Sequence, residues 1–118
     1  MVTMSLRAAA WLLAIAIVVI SLVPATFRPV TPAPHAIEHL VAFATTGLAF
    51  GLGYQRRHLY QAFGLATFAG AIEVAQFLDP SRHARLSDFV VDAASACAGT
   101  MIAWLVLKVC SGTPRLRA

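Results

Sequence analysis

The sequence predicts an all-α polytopic membrane protein: a four-transmembrane-helix bundle in one domain covering residues 1–118. Of its residues 59% are hydrophobic and only 12% charged, with a mean hydropathy of +0.76. So few polar side chains cannot cover the apolar surface of a soluble core this small. The apolar residues also fall into four runs, about 8–23, 37–54, 59–78 and 89–109, each near the ~20 residues that cross ~30 Å of hydrocarbon as helix. These runs are too long for the strands of a lipid-facing barrel and lack period-2 alternation.

The first run ends at Pro24, and Pro29, Pro32 and Pro34 fill the following loop with residues that cannot continue a helix. Its length and the proline beside Val23 favour a retained anchor over a cleaved secretory signal. The second run stops at Gln55-Arg56-Arg57-His58, a short cationic turn suited to a tight antiparallel connection. Asp79-Pro80-Ser81 opens the third loop. Ser87 is the expected cap of the last helix, with Asp88 in its first turn.

Lys and Arg near the spans mark the cytoplasmic side. Arg7, Arg56, Arg57, Lys108, Arg115 and Arg117 fall on one side, and Arg28, Arg82 and Arg85 on the other. This asymmetry predicts that both termini are cytoplasmic. All five acids, Glu38, Glu73, Asp79, Asp88 and Asp92, then lie in or near the outer half. The net charge of +4 follows from topology and attraction to the inner leaflet, and no motif or soluble basic face points to nucleic acid.

Small residues show where the helices approach, since no hydrophobic effect drives association in lipid. Gly47 and Gly51 form a GxxxG pair, which permits self-association. Asp88, Asp92, Ser95 and Gly99 fall at i, i+4, i+7 and i+11, one stripe expected to face the bundle interior. Ala66 and Gly70 offer a further small surface. Cys97 and Cys110 sit about 20 Å apart along one predicted helix and cannot bridge each other.

The stretch from Glu73 to Asp92 holds all three aspartates, one glutamate and two arginines of a mostly apolar chain. An ionised carboxylate near mid-bilayer costs on the order of 2.5–3.5 kcal/mol on insertion scales. Arg82 and Arg85 are the nearest residues to offset it, folding back to pair with Glu73, Asp88 or Asp92. The candidate ligand-binding cluster is therefore His39, Glu73, Gln76, Arg82, Arg85, Asp88 and Asp92. The alternative is an ion network that only fixes the helix arrangement. His35-Ala36-Ile37-Glu38-His39 also matches HxxEH, an inverted zincin pattern. A zinc there requires a third protein ligand from Glu73, Asp88 or Asp92, so no metal or other cofactor is assigned.

Taken in order, these residues resemble the VanZ-like membrane proteins over about residues 35–105. Ile72-Glu73-Val74-Ala75-Gln76 resembles the family's I-E-x-x-Q, and Pro80-Ser81-Arg82 its Pro-Gly-Arg. Asp88 matches the aspartate opening the last helix, Gly99 a small position further along, and His39 the histidine near the start of the second span. The chain departs at His35, where an aspartate is common, at Asp92 for asparagine and at Ser95 for glycine. The resemblance implies a small multipass bacterial membrane protein with an outward-facing polar site; it supplies no reaction and no role in glycopeptide resistance.

Two function classes follow from the cluster. In the first, it binds an anionic or polar envelope ligand, a lipid headgroup or cell-wall intermediate: Arg82 and Arg85 contact phosphate or carboxylate, and Glu73, Gln76 and His39 orient it. In the second, Glu73 or an aspartate is a general acid or base of a membrane-embedded enzyme, with or without a metal. Binding or an accessory role ranks ahead of catalysis, since Ser81 and Ser87 lack any triad context.

Overall fold

A computed structural model describes residues 1–27, 32–80 and 85–112. The chain folds as α1 (Val2–Leu22), α2 (His35–Gly53), α3 (His58–Phe77) and α4 (Leu86–Gly112), with a 3-10 turn at Ala25–Phe27 after α1. No strand occurs among the described residues. The helices alternate in direction, so α1 and α3 run one way and α2 and α4 the other. Arg7 at the start of α1 meets Gly53 at the end of α2, and Ser21 near the end of α1 meets Gln76 near the end of α3.

The helix ends follow local chemistry. α1 stops at Leu22, and Val23 turns extended (φ −66°, ψ 149°) ahead of Pro24. Pro34, at φ −57°, accepts the Ile37 and Glu38 N–H groups at 3.0 and 3.2 Å and so starts α2. Between α2 and α3 the chain reverses through Arg57 at φ +59°, a left-handed conformation uncommon for a residue with a Cβ. The Gln61 side-chain amide steadies this turn by donating to the carbonyls of Tyr54 and Arg56.

The expected cap at Ser87 is corrected. α4 begins at Leu86, and the Arg85 carbonyl accepts the Asp88 and Phe89 N–H groups at 3.1 and 3.3 Å. Arg85 is thus the boundary residue, Ser87 lies inside the first turn, and Asp88 is in that turn as expected. The first and last helices also outrun their apolar runs, because polar residues such as Thr3, Arg7 and Ser111 continue the hydrogen-bonded ladder into the interface.

Among the described residues three helices, α1, α2 and α4, are long and apolar enough to cross a membrane. α3 has 20 residues, but His58, Gln61, Glu73 and Gln76 lower its apolar character. Burial is arranged for lipid rather than water. Trp11, Leu12, Ile15, Leu59, Phe63, Phe77 and Val109 are all exposed on the outside, an amount of apolar surface that soluble monomers rarely present.

The core is small and tightly approached. Ile17, Phe43, Leu65, Ala69, Ile72 and Ala96 form one buried cluster. The α2–α4 contact is the most extensive in the bundle. A Cβ added at Gly47 would sit 2.2 Å from the Ala96 carbonyl oxygen, and one at Gly51 2.4 Å from the Ala103 Cβ. The chain's own α4 therefore covers the GxxxG pair, and self-association through Gly47 and Gly51 would have to displace it. The stripe of Asp92, Ser95 and Gly99 is buried as expected, with Asp88 partly exposed at its outer end. On α3, Leu65, Ala69, Ile72, Glu73 and Gln76 are buried, while Ala66 and Gly70 flank that face.

Candidate functional site

α2 and α4 run parallel, and each carries a polar pair one helical turn apart at its N-terminal end. His35 and His39 on α2 therefore face Asp88 and Asp92 on α4 as two rungs. The inner rung is tight: His39 Nδ1–H donates to Asp92 Oδ1 at 2.7 Å, with the Asp92 side chain fully buried. At the outer rung His35 Nε2 lies 3.8 Å from Asp88 Oδ2, with both side chains more exposed. The two imidazoles are 4.2 Å apart, and Phe43 stacks below His39 with centroids 6.3 Å apart.

Glu73 approaches the rungs from α3. It is 8% exposed, and neither carboxylate oxygen has a hydrogen-bond partner among the described residues; nor does Asp92 Oδ2. Asp88 and Asp92 lie near enough to repel an ionised Glu73, while His39 and the Arg85 backbone N–H lie near enough to attract it. The Arg85 amide falls short of hydrogen-bond geometry. A buried acceptor left unpaired in this way costs free energy that packing alone does not return.

Glu73 also lines an open groove between α3 and the start of α4. The groove has a volume of about 390 Å³, and its walls are Gly70, Val74 and Phe77 on one side and Arg85, Leu86 and Phe89 on the other. Gly70 matters here, since an added Cβ would meet the Phe89 ring at 3.3 Å. Val74, Phe77 and Leu86 are 64%, 75% and 78% exposed, so the groove opens sideways, toward the surroundings of the bundle.

The structure thus gathers His39, Glu73, Asp88, Asp92 and Arg85 at one end of the bundle. Arg85 lines the groove with Glu73, yet no ion pair joins it to Glu73, Asp88 or Asp92 among the described residues. The expected folding back of Arg85 onto these acids is therefore not formed. Gln76 is near but differently engaged: its Nε2 donates to the Ser21 carbonyl at 3.2 Å, tying α3 to α1. Arg82, with Pro80-Ser81-Arg82 as a motif, extends beyond the described residues. Among those residues no group of three His, Cys, Asp or Glu side chains is placed to hold a metal ion. The HxxEH pattern instead places its two histidines on two different aspartates.

Two features were not foreseen. The pairing of rungs was encoded in two i, i+4 pairs, His35/His39 and Asp88/Asp92, once α2 and α4 are known to be parallel. The groove wall left no signal of its own, because Val74, Phe77, Leu86 and Phe89 look like any lipid-facing residues.

The opposite end is basic, and Arg7 is tied into it. Arg7 Nε donates to the Gly53 carbonyl at 2.8 Å while its guanidinium lies 4.7 Å from the Tyr54 ring centroid, and Trp11 Nε1 donates to the Tyr54 hydroxyl at 2.9 Å. Among the described residues the acids thus lie toward one end of the bundle with Arg85, and Arg7, Arg56, Arg57 and Lys108 toward the other. No protein-family model matches the chain, and neither a curated protein nor a solved structure does.

Proposed function

We propose that this chain is a VanZ-like multipass protein of the bacterial inner membrane that binds an envelope lipid or lipid-linked cell-wall intermediate at an outward-facing polar site. The observation that carries the reading is Glu73, whose carboxylate oxygens are buried and unpartnered and whose side chain lines an apolar groove together with the exposed Arg85. An amphipathic ligand fits both halves of that surface, its headgroup at Glu73 and Arg85 and its chain along Val74, Phe77, Leu86 and Phe89. His39–Asp92 and Gln76–Ser21 hold the helices that form the site. Arg82, four residues after Leu78 on the same connection, is proposed as a second contact for phosphate or carboxylate.

The four-span reading is supported by helix direction. α2 and α4 both run from the acidic end to the basic end, so the chain between them returns across the same thickness, and α3 is the segment that makes the return. The family reading is supported by position: His39, Ile72-Glu73, Gln76 and Asp88, which carry the resemblance, gather at one end, and Gly99 packs against the backbone of α2. Cytoplasmic termini are supported by Arg7 near the start of α1 and Lys108 near the end of α4.

Native mass spectrometry of the protein purified in mild detergent tests the binding reading. Wild type is expected to carry a lipid-sized adduct that is lost in Glu73→Gln and in the double variant Arg82→Ala/Arg85→Ala. Bare wild-type protein in every gentle detergent sinks the proposal.

One observation favours a second reading, acid–base catalysis on the same ligand. Fully buried Asp92 orients His39 as a carboxylate orients the imidazole of a general base, with Glu73 as a neighbouring acid. Chemical turnover of the bound lipid, lost in Asp92→Asn while the adduct remains, would move this reading ahead of simple binding.

A further inference from the structure

Glu73 and Arg85 are the charged residues that line the groove, with Asp88 and Asp92 within electrostatic reach of Glu73. Resting on the lipid-binding reading, we infer that the ligand is a phospholipid whose headgroup carries a primary ammonium beside its phosphate. Three buried carboxylate oxygens, Glu73 Oε1 and Oε2 and Asp92 Oδ2, lack a donor among the described residues, and their side chains are 8% and 0% exposed. Asp88 adds a third carboxylate within electrostatic reach of Glu73. The nearest ring donor is committed elsewhere, because His39 Nδ1–H goes to Asp92 Oδ1 at 2.7 Å.

A cluster of this sign repels a phosphate and attracts a cation. A primary ammonium suits it best, offering three N–H donors in a compact group, each bond to a carboxylate being charge-assisted. The phosphate of the same headgroup is then held off the acids and stays at the rim, where exposed Arg85 lines the groove mouth and presents a planar fork of donors. The acyl chains follow the exposed side chains of Val74, Phe77 and Leu86 into the surrounding lipid. A quaternary ammonium has the same charge but no N–H to donate, and a glycerol headgroup has no cation. The site should rank these three in that order.

The test uses the full-length protein in detergent and three synthetic phospholipids with identical acyl chains: phosphatidylethanolamine, phosphatidylcholine and phosphatidylglycerol. Bound fractions are read by native mass spectrometry at equal lipid concentration. Wild type is expected to retain the ethanolamine lipid about tenfold or more over the other two, the loss of one charge-assisted hydrogen bond being worth at least a factor of this size. Glu73→Gln should lower all three to one background level, the ethanolamine lipid falling furthest. Arg85→Ala should weaken all three and leave their order unchanged.

Equal retention of the three lipids by wild type, still lost in Arg85→Ala, would overturn the ammonium inference and leave the lipid site standing. Absence of retention of any of them by wild type would overturn both. The ranking is read on wild type alone, so it does not depend on any variant folding.

Discussion

Replacing Gly99 by alanine isolates the contact that sets the distance between α2 and α4, and with it the rungs that build the site. The new methyl carbon would lie 2.1 Å from the Ala44 carbonyl oxygen, 2.8 Å from the Leu48 amide nitrogen and 2.9 Å from the Ala44 carbonyl carbon. Ordinary contact begins at 3.4 Å, and all three neighbours are backbone atoms with no rotamer to change. The two helices must therefore separate or tilt by about 1 Å along their most extensive interface, since close-packed interiors have no slack to absorb it. Overpacking of this kind costs about 1–3 kcal/mol, and rigid backbone neighbours place it toward the upper end. Gly64→Ala is the matched control. Nothing lies within 4 Å of its added Cβ, and it sits in the middle of α3, so relief of glycine's entropic penalty gains about 0.5–1 kcal/mol. The two alanines should thus shift stability in opposite directions, by about 2–4 kcal/mol in total. Denaturation in mixed micelles, followed by circular dichroism, measures both. Variants that agree within about 0.5 kcal/mol would refute the close approach of α2 and α4.

A double-mutant cycle on the inner rung tests the coupling of His39 and Asp92. His39→Leu leaves a fully buried carboxylate without its partner and should cost about 3–5 kcal/mol, whereas adding Asp92→Leu should restore most of that loss; effects of the two single variants that merely add in the double would show the two are uncoupled. Cys110 is exposed near the end of α4, so a membrane-impermeant maleimide should label it in opened cells and not in intact ones, with a Cys97→Ser background keeping the signal unambiguous. Labelling of intact cells would invert the proposed orientation. The lipid adduct lost in Glu73→Gln and the ranking of headgroups complete the set of tests.

Much of the site could be read along the chain because its residues violate their surroundings. Glu73, Asp88 and Asp92 stand out in an apolar sequence, and membrane helices admit ionisable groups only at a cost. Their location at one end followed from the loops that bound them. The roles of Gln76 and Arg85 did not follow, since each lies one or more turns from its sequence neighbours' partners. Gln76 reaches Ser21, 55 positions away, and Arg85 shares a groove with Glu73 without pairing with it. Contacts of this separation depend on how helices rotate about their axes, which composition does not specify.

The sequence by itself determined that the chain is helical, that it belongs in lipid and where its helices break. Apolar runs of span length, prolines and charged turns act locally, and their effect does not depend on what packs beside them. Tertiary structure decided which of the small and polar faces meet one another. It turned the GxxxG pair of α2 inward against Ala96 and Ala103, set His35 and His39 opposite Asp88 and Asp92, and left Glu73 buried beside an open groove with no donor for its oxygens. The physical reason is that in lipid every apolar face is equally acceptable to the solvent, so close backbone approach and polar pairing choose the interface, and both are properties of two helices together.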